Sequence, residues 1–110
     1  MAYELHITRA DDWTESEDDP IDRAEWEEAA AADQRLVEAG EVNWTDLGNI
    51  AVFTWRDENG PSFLWRDGQI NVKGVRGEAE IGEIARFAQT LGAVLMGDDG
   101  ETYDESGSPS

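Results

Sequence analysis

The sequence predicts an α+β fold, a two-layer sandwich in which a mainly antiparallel sheet of about five strands, including a central meander, carries two helices on one face. Three observations favour this class. Apolar residues alternate over 3–8, short strand-like runs joined by turn residues fill the middle of the chain, and residues 78–91 carry apolar side chains at helical spacing. The predicted element order is β-α-(β)-β-β-β-α-β, in which the strand in parentheses is optional.

The length indicates a single domain. A chain of 110 residues is the size of one domain, which we expect to span residues 1–104, followed by a flexible tail over 105–110. Hydrophobic residues make up 39% of the chain, and five tryptophans among them supply large surfaces for burial. The composition therefore suffices for one core and not for a second.

The first strand and the two helices have local signals. Residues 3–8 predict a strand whose buried face carries Tyr3, Leu5 and Ile7. A helix is predicted from Asp22 to about residue 33, because Glu25 completes a capping-box pattern three residues after Asp22. The second helix covers 78–91. After it we expect a short buried strand at 94–96 and a return strand at 102–103.

The sequence predicts a hairpin in the central meander, together with the register of its two strands. The predicted strands cover 50–56, 62–66 and 69–73, and Asp67-Gly68 is a typical two-residue hairpin loop. That loop length places two apolar pairs on one face: Phe63 opposite Val72, and Trp65 opposite Ile70. Turn chemistry and apolar pattern therefore agree.

The core-facing side of residues 50–56 stays open. A two-residue loop at Asn59-Gly60 puts one set of side chains on the core face: Ile50, Val52 and Thr54. A loop one residue longer puts the other set there: Ala51, Phe53 and Trp55. In both cases apolar side chains remain on the second face of the sheet. That second strip is either covered by another element or exposed as a docking surface.

The charge of the chain is large and unevenly distributed. The formal net charge is −18, and residues 11–46 contribute 14 carboxylates against two arginines. Residues 98–105 contribute five more carboxylates and no base, whereas residues 47–97 balance six acids with five bases. An acidic surface argues against nucleic acid and anionic membranes as partners, because both carry the same sign of charge.

The compartment follows from what the sequence lacks. There is no cysteine, which excludes disulfides, thiolate metal sites and cysteine nucleophiles. The first residues carry no basic segment followed by an apolar run, and no apolar run reaches the length of a membrane span. We therefore expect a cytoplasmic protein.

Catalysis is not expected. His6 is the only histidine, and its place on the polar side of the first strand predicts an exposed strand residue rather than a general base. The carboxylates are numerous, but no pair is singled out as a catalytic pair. We therefore expect no enzyme, no catalytic residues and no cofactor.

A calcium site is the metal alternative. The acids of residues 98–104 cluster around Gly100, but their spacing differs from that of an EF-hand loop. An acidic turn accounts for the same residues, so no metal ligand is predicted.

The acidic loop at residues 11–19 is the most distinctive candidate for binding, because it surrounds Trp13 with carboxylates. Tryptophan concentrates binding energy at interfaces, while flanking charge steers a cationic partner. An equally weighted alternative is that Trp13 folds back over the core as a lid. With the acidic C-terminal turn, the candidate partner-binding residues are Asp11, Asp12, Trp13, Glu15, Glu17, Asp18, Asp19, Asp98, Asp99, Glu101 and Tyr103.

Both ends of the chain resemble a known group. Residues 3–10, then Trp13, and the ending at 91–103 are similar to small uncharacterised bacterial single-domain proteins that begin with an "hITRxxxW" strand and end in "LGAxvxGDDGExY". The resemblance implies a stand-alone bacterial cytoplasmic domain. It implies no activity, cofactor or catalytic residue.

These observations favour a small interaction domain that binds a basic protein partner, of which an immunity or inhibitor protein is the concrete form. The alternative is a small-ligand binding or regulatory module that uses the tryptophan-lined sheet as its pocket. A carboxylate-dependent enzyme is a third reading, and it needs an acid with a raised pKa. A homodimer through the second sheet face is a further alternative.

The charge distribution leads to a prediction about salt. Repulsion among carboxylates destabilises the compact state, and salt screens this repulsion. The melting temperature is therefore expected to rise when sodium chloride is added, as measured by circular dichroism. A melting temperature that does not depend on salt would contradict this expectation.

Overall fold

The computed structural model describes residues 4–45, 48–56, 58–75 and 77–107. They form an α+β domain built on one antiparallel sheet of seven strands. The fold class is confirmed, with more strands than predicted. No helix in this part of the chain is long and apolar enough to cross a membrane. The strands are β1 Leu5–Thr8, β2 Leu36–Trp44, β3 Gly48–Trp55, β4 Ser62–Arg66, β5 Gln69–Lys73, β6 Val94–Gly97 and β7 Thr102–Tyr103. They lie in the sheet in the order β2-β3-β4-β5-β1-β6-β7. The helices are α1 Arg23–Ala32 and α2 Gly77–Thr90, and a 3-10 segment covers Trp13–Asp18.

The hairpin of β4 and β5 has the predicted register. Phe63 lies opposite Val72, and Arg66 lies opposite Gln69 across the two-residue turn. Asp67 and Gly68 have φ angles of 52° and 84°, as a two-residue hairpin turn of this type requires. The turn therefore fixes which side chains of both strands enter the core.

The open question about β3 is settled by its pairing with β4. Phe53 lies opposite Phe63, so Phe53 shares the core face of the hairpin. Trp55 is buried on the same side, at 1% exposure. The face assignment of the longer-loop alternative is therefore correct, although the pairing of Thr54 with Ser62 leaves a connection longer than that alternative assumed. Val52, on the other side of β3, pairs with Leu64 on the second face of the sheet.

Aromatic rings join the helices to the sheet. Trp26 of α1 lies 6.0 Å from Phe63 of β4 and 6.1 Å from Phe87 of α2, measured between ring centroids. Phe87 also lies 5.9 Å from Trp55 of β3. Rings at such distances interact favourably beyond the burial of their area, so this cluster holds both helices on one face of the sheet.

Strand β1 lies between β5 and β6, and both of its faces are covered. All four residues of β1 are buried. Leu5 and Ile7 face the helices and belong to the core, whereas His6 and Thr8 face the other way. The prediction that His6 is exposed was wrong, because its exposure is 3%. Tyr3, predicted to begin this strand, lies outside the described residues.

Two predictions from local sequence concern the capping box before α1 and the optional strand after it. Asp22 precedes α1 as predicted, but its side chain makes no capping hydrogen bond. Glu25 makes the other half of the capping box with the backbone N–H of Asp22, and it also accepts two hydrogen bonds from Arg9 of the loop after β1, at 3.0 and 2.6 Å. The optional strand exists as β2, and it pairs with β3 along an edge that carries a bulge at Glu38 and Gly40.

Residues 105–107 lie close against α2. A Cβ atom placed on Gly82 would come within 2.3 Å of the backbone oxygen of Glu105. Gly107 is buried, and a Cβ atom there would lie 2.0 Å from the carbonyl oxygen of Glu78. Glycine at both positions allows the backbones to touch. Residues 108–110 lie outside the described part of the chain.

Gly82→Ala tests this contact. In a free helix the change stabilises by about 1 kcal/mol, but here the added methyl group meets a backbone oxygen, and overpacking costs about 1–3 kcal/mol. We expect the free energy of unfolding in urea to fall in the full chain. In a chain ending at Asp104 we expect it to rise. A rise of the same size in both chains would show that residues 105–107 do not contact α2.

Candidate functional site

The 3-10 segment Trp13–Asp18 packs on the face of the sheet opposite the helices. Asp12 begins it by accepting hydrogen bonds from the backbone N–H and the hydroxyl of Thr14, at 2.9 and 2.8 Å. These bonds hold the pKa of Asp12 below its ordinary value. Ser16 is buried in the middle of the segment, where its hydroxyl donates to the carbonyl oxygen of Asp67 at 2.9 Å.

Gln69 of β5 fastens the segment to the sheet. Its side-chain Nε2 donates to the carbonyl oxygen of Trp13 at 2.9 Å and to the hydroxyl oxygen of Ser16 at 3.0 Å. With only 8% of its surface exposed, Gln69 makes these bonds away from bulk water. Such sheltered bonds are costly to leave unmade, so they fix the position of the segment.

Trp13 stacks on His6. The ring centroids are 3.9 Å apart and the ring planes are inclined by 3°. The indole Nε1 of Trp13 donates to the carbonyl oxygen of Asp98 at 3.2 Å. Trp13 therefore contacts the first strand and the turn between β6 and β7 at once.

Three acceptors surround the ring nitrogens of His6. Nδ1 lies 2.8 Å from Oε1 of Gln69 and 3.0 Å from Oδ1 of Asn71. Nε2 lies 2.8 Å from Oδ1 of Asp98. Oδ2 of the same carboxylate accepts a hydrogen bond from the backbone N–H of Glu4 at 3.1 Å. The His6 hydrogen bond is the main reason that the pKa of Asp98 lies below its ordinary value, and the Glu4 N–H adds to it.

The Trp13 contact with Asp98 brings the two predicted acidic segments together. We call the result the acidic surface. It combines six carboxylates from residues 11–19 with three from residues 98–101. Its members are Asp11, Asp12, Glu15, Glu17, Asp18, Asp19, Asp98, Asp99 and Glu101.

Tyr103 was predicted with the others, and it lies in β7. It pairs with the core residue Leu95 and packs against the core. Trp13 lies over His6, on the face of the sheet away from the core, and keeps part of its surface exposed, so its role as an interface anchor stays a prediction.

Concave regions border Trp13 or the acidic residues that follow it, and two of them lie beside His6 and beside Arg9. One has a volume of about 270 Å³ and is lined by Glu4, His6, Trp13, Arg66, Asp67, Gln69, Asn71 and Asp98. The other, of about 200 Å³, is lined by Arg9, Ala10, Asp11, Glu15, Asp18 and Asp19. Arg9 in the second region is engaged by Glu25, and by the carbonyl oxygen of Leu91 at 2.9 Å.

No group of three histidine or acidic side chains within the described residues is arranged to hold a metal ion. Residues 98–104 contribute a turn in which Gly100 N–H donates to the carbonyl oxygen of Gly97 at 3.0 Å. Asp98 directs its carboxylate at His6 and the Glu4 N–H rather than into that turn.

The second apolar strip is only partly covered. Away from the 3-10 segment, Val42, Val52 and Leu64 line an open groove of about 470 Å³ on the same face of the sheet. All three side chains are half-buried. A homodimer through this face stays a prediction.

The sequence did not identify Gln69, Ser16 or His6 as parts of a site. His6 meets Asn71 across the pairing of β1 with β5, which joins strands more than sixty residues apart. The available signal was a polar residue at every second position of both strands, on the face away from the core. That signal also describes an ordinary solvated face.

Compared with known protein families, with curated proteins and with solved structures, the chain matches none. The resemblance of its two ends to a bacterial group therefore stays a prediction.

Asp98→Asn tests the His6 contact through stability. The folded pKa of Asp98 is lowered, so while His6 donates to it the carboxylate stabilises the fold above the ordinary value of about 3.9, and it loses this effect as the pH falls through the folded pKa. At pH 7 the free energy of unfolding of the variant is expected to be lower by about 1 kcal/mol, less than the roughly 1.5–3 kcal/mol of a sheltered charged hydrogen bond, because Asp98 is exposed.

The measurement is urea unfolding of both proteins at several pH values. The difference in free energy of unfolding should shrink toward acid pH. A difference that stays constant, or that grows, over the acid range in which Asp98 takes up its proton would contradict this reading of Asp98.

Proposed function

We propose that this chain is a small acidic interaction domain that binds a basic protein partner, in the manner of an immunity or inhibitor protein. The observation that carries the proposal is the indole hydrogen bond from Trp13 to the carbonyl oxygen of Asp98. It lies between two acidic segments that are far apart in the chain and that together contain nine carboxylates. A concentrated patch of one sign attracts the opposite charge and raises the association rate.

A partly exposed tryptophan within the patch supports the same proposal. Trp13 borders a groove of about 370 Å³, whose lining includes Glu15, Glu17, Asp18 and Asp67. An aromatic side chain surrounded by carboxylates suits a lysine or arginine, because the cation contacts the ring and pairs with the acids. Aromatic anchors of this kind contribute disproportionately to binding energy at interfaces.

The pKa directions favour binding over acid catalysis. A carboxyl group that donates a proton at neutral pH needs a raised pKa. Five described carboxylates have a lowered pKa, each mainly because of a hydrogen bond: Asp12, Glu25, Asp33, Glu83 and Asp98. Both ring nitrogens of His6 face acceptors, which leaves no lone pair directed at a substrate.

A small-ligand module is the second candidate, and the cavity beside His6 favours it. Its volume of about 270 Å³ falls slightly below the range of about 300–1,000 Å³ usual for ligand pockets. Trp13 lines it, so a bound metabolite would change tryptophan fluorescence. A fluorescence change with a metabolite, and none with a basic protein, would favour this candidate.

The test of the leading proposal is capture from host lysate by three matched baits. The first is the natural chain. The second carries Glu15→Gln, Glu17→Gln and Asp18→Asn, all exposed residues of the acidic surface. The control carries three exposed substitutions elsewhere with the same charge change, Glu28→Gln, Glu38→Gln and Glu41→Gln.

We expect a stoichiometric basic protein on the natural bait and on the control, and its loss from the second bait. High salt should release it, because screening weakens attraction between opposite charges. With the purified partner, the association rate should fall with salt by about tenfold or more. Equal capture by all three baits, or capture of neutral and acidic proteins alone, would contradict the proposal.

A further inference from the structure

We propose that His6 is a proton-controlled switch. In its imidazolium form it holds the Trp13 ring and the turn at Asp98 against β1, and it releases the ring and the turn when it loses its proton. Any effect of this switch on partner binding rests on the proposed function. The switch itself does not, because it concerns contacts within the chain.

The side-chain amide of Gln69 fixes the proton on one nitrogen of His6. The Nε2 atom of Gln69 faces the carbonyl oxygen of Trp13, and a carbonyl oxygen can only accept a hydrogen bond. The NH₂ group must therefore point toward Trp13, and the amide oxygen toward His6. Since that oxygen is also only an acceptor, Nδ1 of His6, 2.8 Å away, must carry a proton.

The second nitrogen then depends on the charge of the ring. With Nδ1 protonated, a neutral imidazole has a lone pair on Nε2. That nitrogen lies 2.8 Å from Oδ1 of Asp98, whose pKa is lowered, so the carboxylate is ionised at neutral pH. A lone pair facing a carboxylate oxygen at this distance is repulsive. The observed contact therefore requires the imidazolium, in which both nitrogens donate.

Loss of the proton weakens two contacts at the same time. The hydrogen bond to Asp98 disappears, and the stacking of Trp13 on His6 loses its attraction between a cation and an aromatic ring. Trp13 also donates to the Asp98 carbonyl, so movement of Asp98 disturbs both ends of the cluster. Repulsion within the acidic surface favours separation once the central positive charge is gone.

The other charged groups near His6 do not replace that charge. The cavity beside the ring is lined by the carboxylates of Glu4, Asp67 and Asp98 and by one base, Arg66. Arg66 is paired with Asp67 at 3.5 Å, and Glu4 lies 4.0 Å from Lys73. The 3-10 segment contributes Trp13 to the lining, and β5 contributes the neutral Gln69 and Asn71.

The experiment is a pH titration of the whole chain by NMR, without a partner. His6 is the only histidine, so its ring ¹⁵N signals report its protonation without overlap. The position of the Trp13 ring is read from the nuclear Overhauser contacts between the ring protons of His6 and those of Trp13, assigned with Trp13→Phe. We expect these contacts to weaken with the same midpoint as the loss of the His6 proton.

Asp98→Asn separates the switch from a general loss of stability. An asparagine amide can donate to the neutral Nε2 or accept from the protonated one, so contacts in this variant should persist across the titration. Asp99→Asn removes the same charge one position away and should retain the pH dependence.

Contacts that persist in the natural chain through the whole His6 titration would overturn the proposal. So would an identical pH dependence in Asp98→Asn. If Asp98→Asn does not fold, the titration of the natural chain alone decides. Failure here leaves the partner proposal intact, because lysate capture tests that proposal separately.

Discussion

The stacked pair of Trp13 and His6, closed by Asp98, determines how the charged parts of this molecule are arranged. Carboxylates concentrated in two separate segments repel one another, so these segments would remain apart without a specific contact. Trp13 supplies that contact by lying 3.9 Å from the His6 ring and donating to the Asp98 carbonyl. One buried histidine thus lies where the two acidic segments meet.

The position of β1 makes this contact possible. Because β1 is the central partner of β5 and β6, its two faces meet different surroundings. Leu5 and Ile7 pack into the apolar core beneath the helices, while His6 meets the polar side chains of Asn71 and Asp98. The same strand therefore anchors the core and carries the site. A change in β1 is expected to affect both.

The predictable parts of the fold are those in which local chemistry and apolar pattern agree. The Asp67-Gly68 turn and the alternating side chains around it specify the same register, and the structure has that register. The core side of β3 could not be predicted, because it depends on the length of an irregular loop near Gly60. The apolar stripe of the second helix was sufficient, since helical spacing is a local property.

The parts of the fold and of the site that could not be predicted depend on contacts between residues far apart in the chain. Glu25 has the spacing of a capping box, but its carboxylate also accepts two hydrogen bonds from Arg9. No local pattern in the sequence reveals this pairing. His6 appeared exposed because alternation specifies which face a residue occupies and not what covers that face. The cover is the 3-10 segment, whose polar sequence resembles a solvated loop and whose attachment depends on Gln69.

The most direct measurement is the distance between the two acidic segments in solution. The chain has no cysteine, so Glu17→Cys and Asp99→Cys provide unique positions for a pair of spin labels. A short and narrow distance distribution is expected, which broadens and lengthens when Trp13→Leu is added. A broad distribution in the otherwise natural chain, or one that Trp13→Leu leaves unchanged, would show that Trp13 does not hold the acidic surface together.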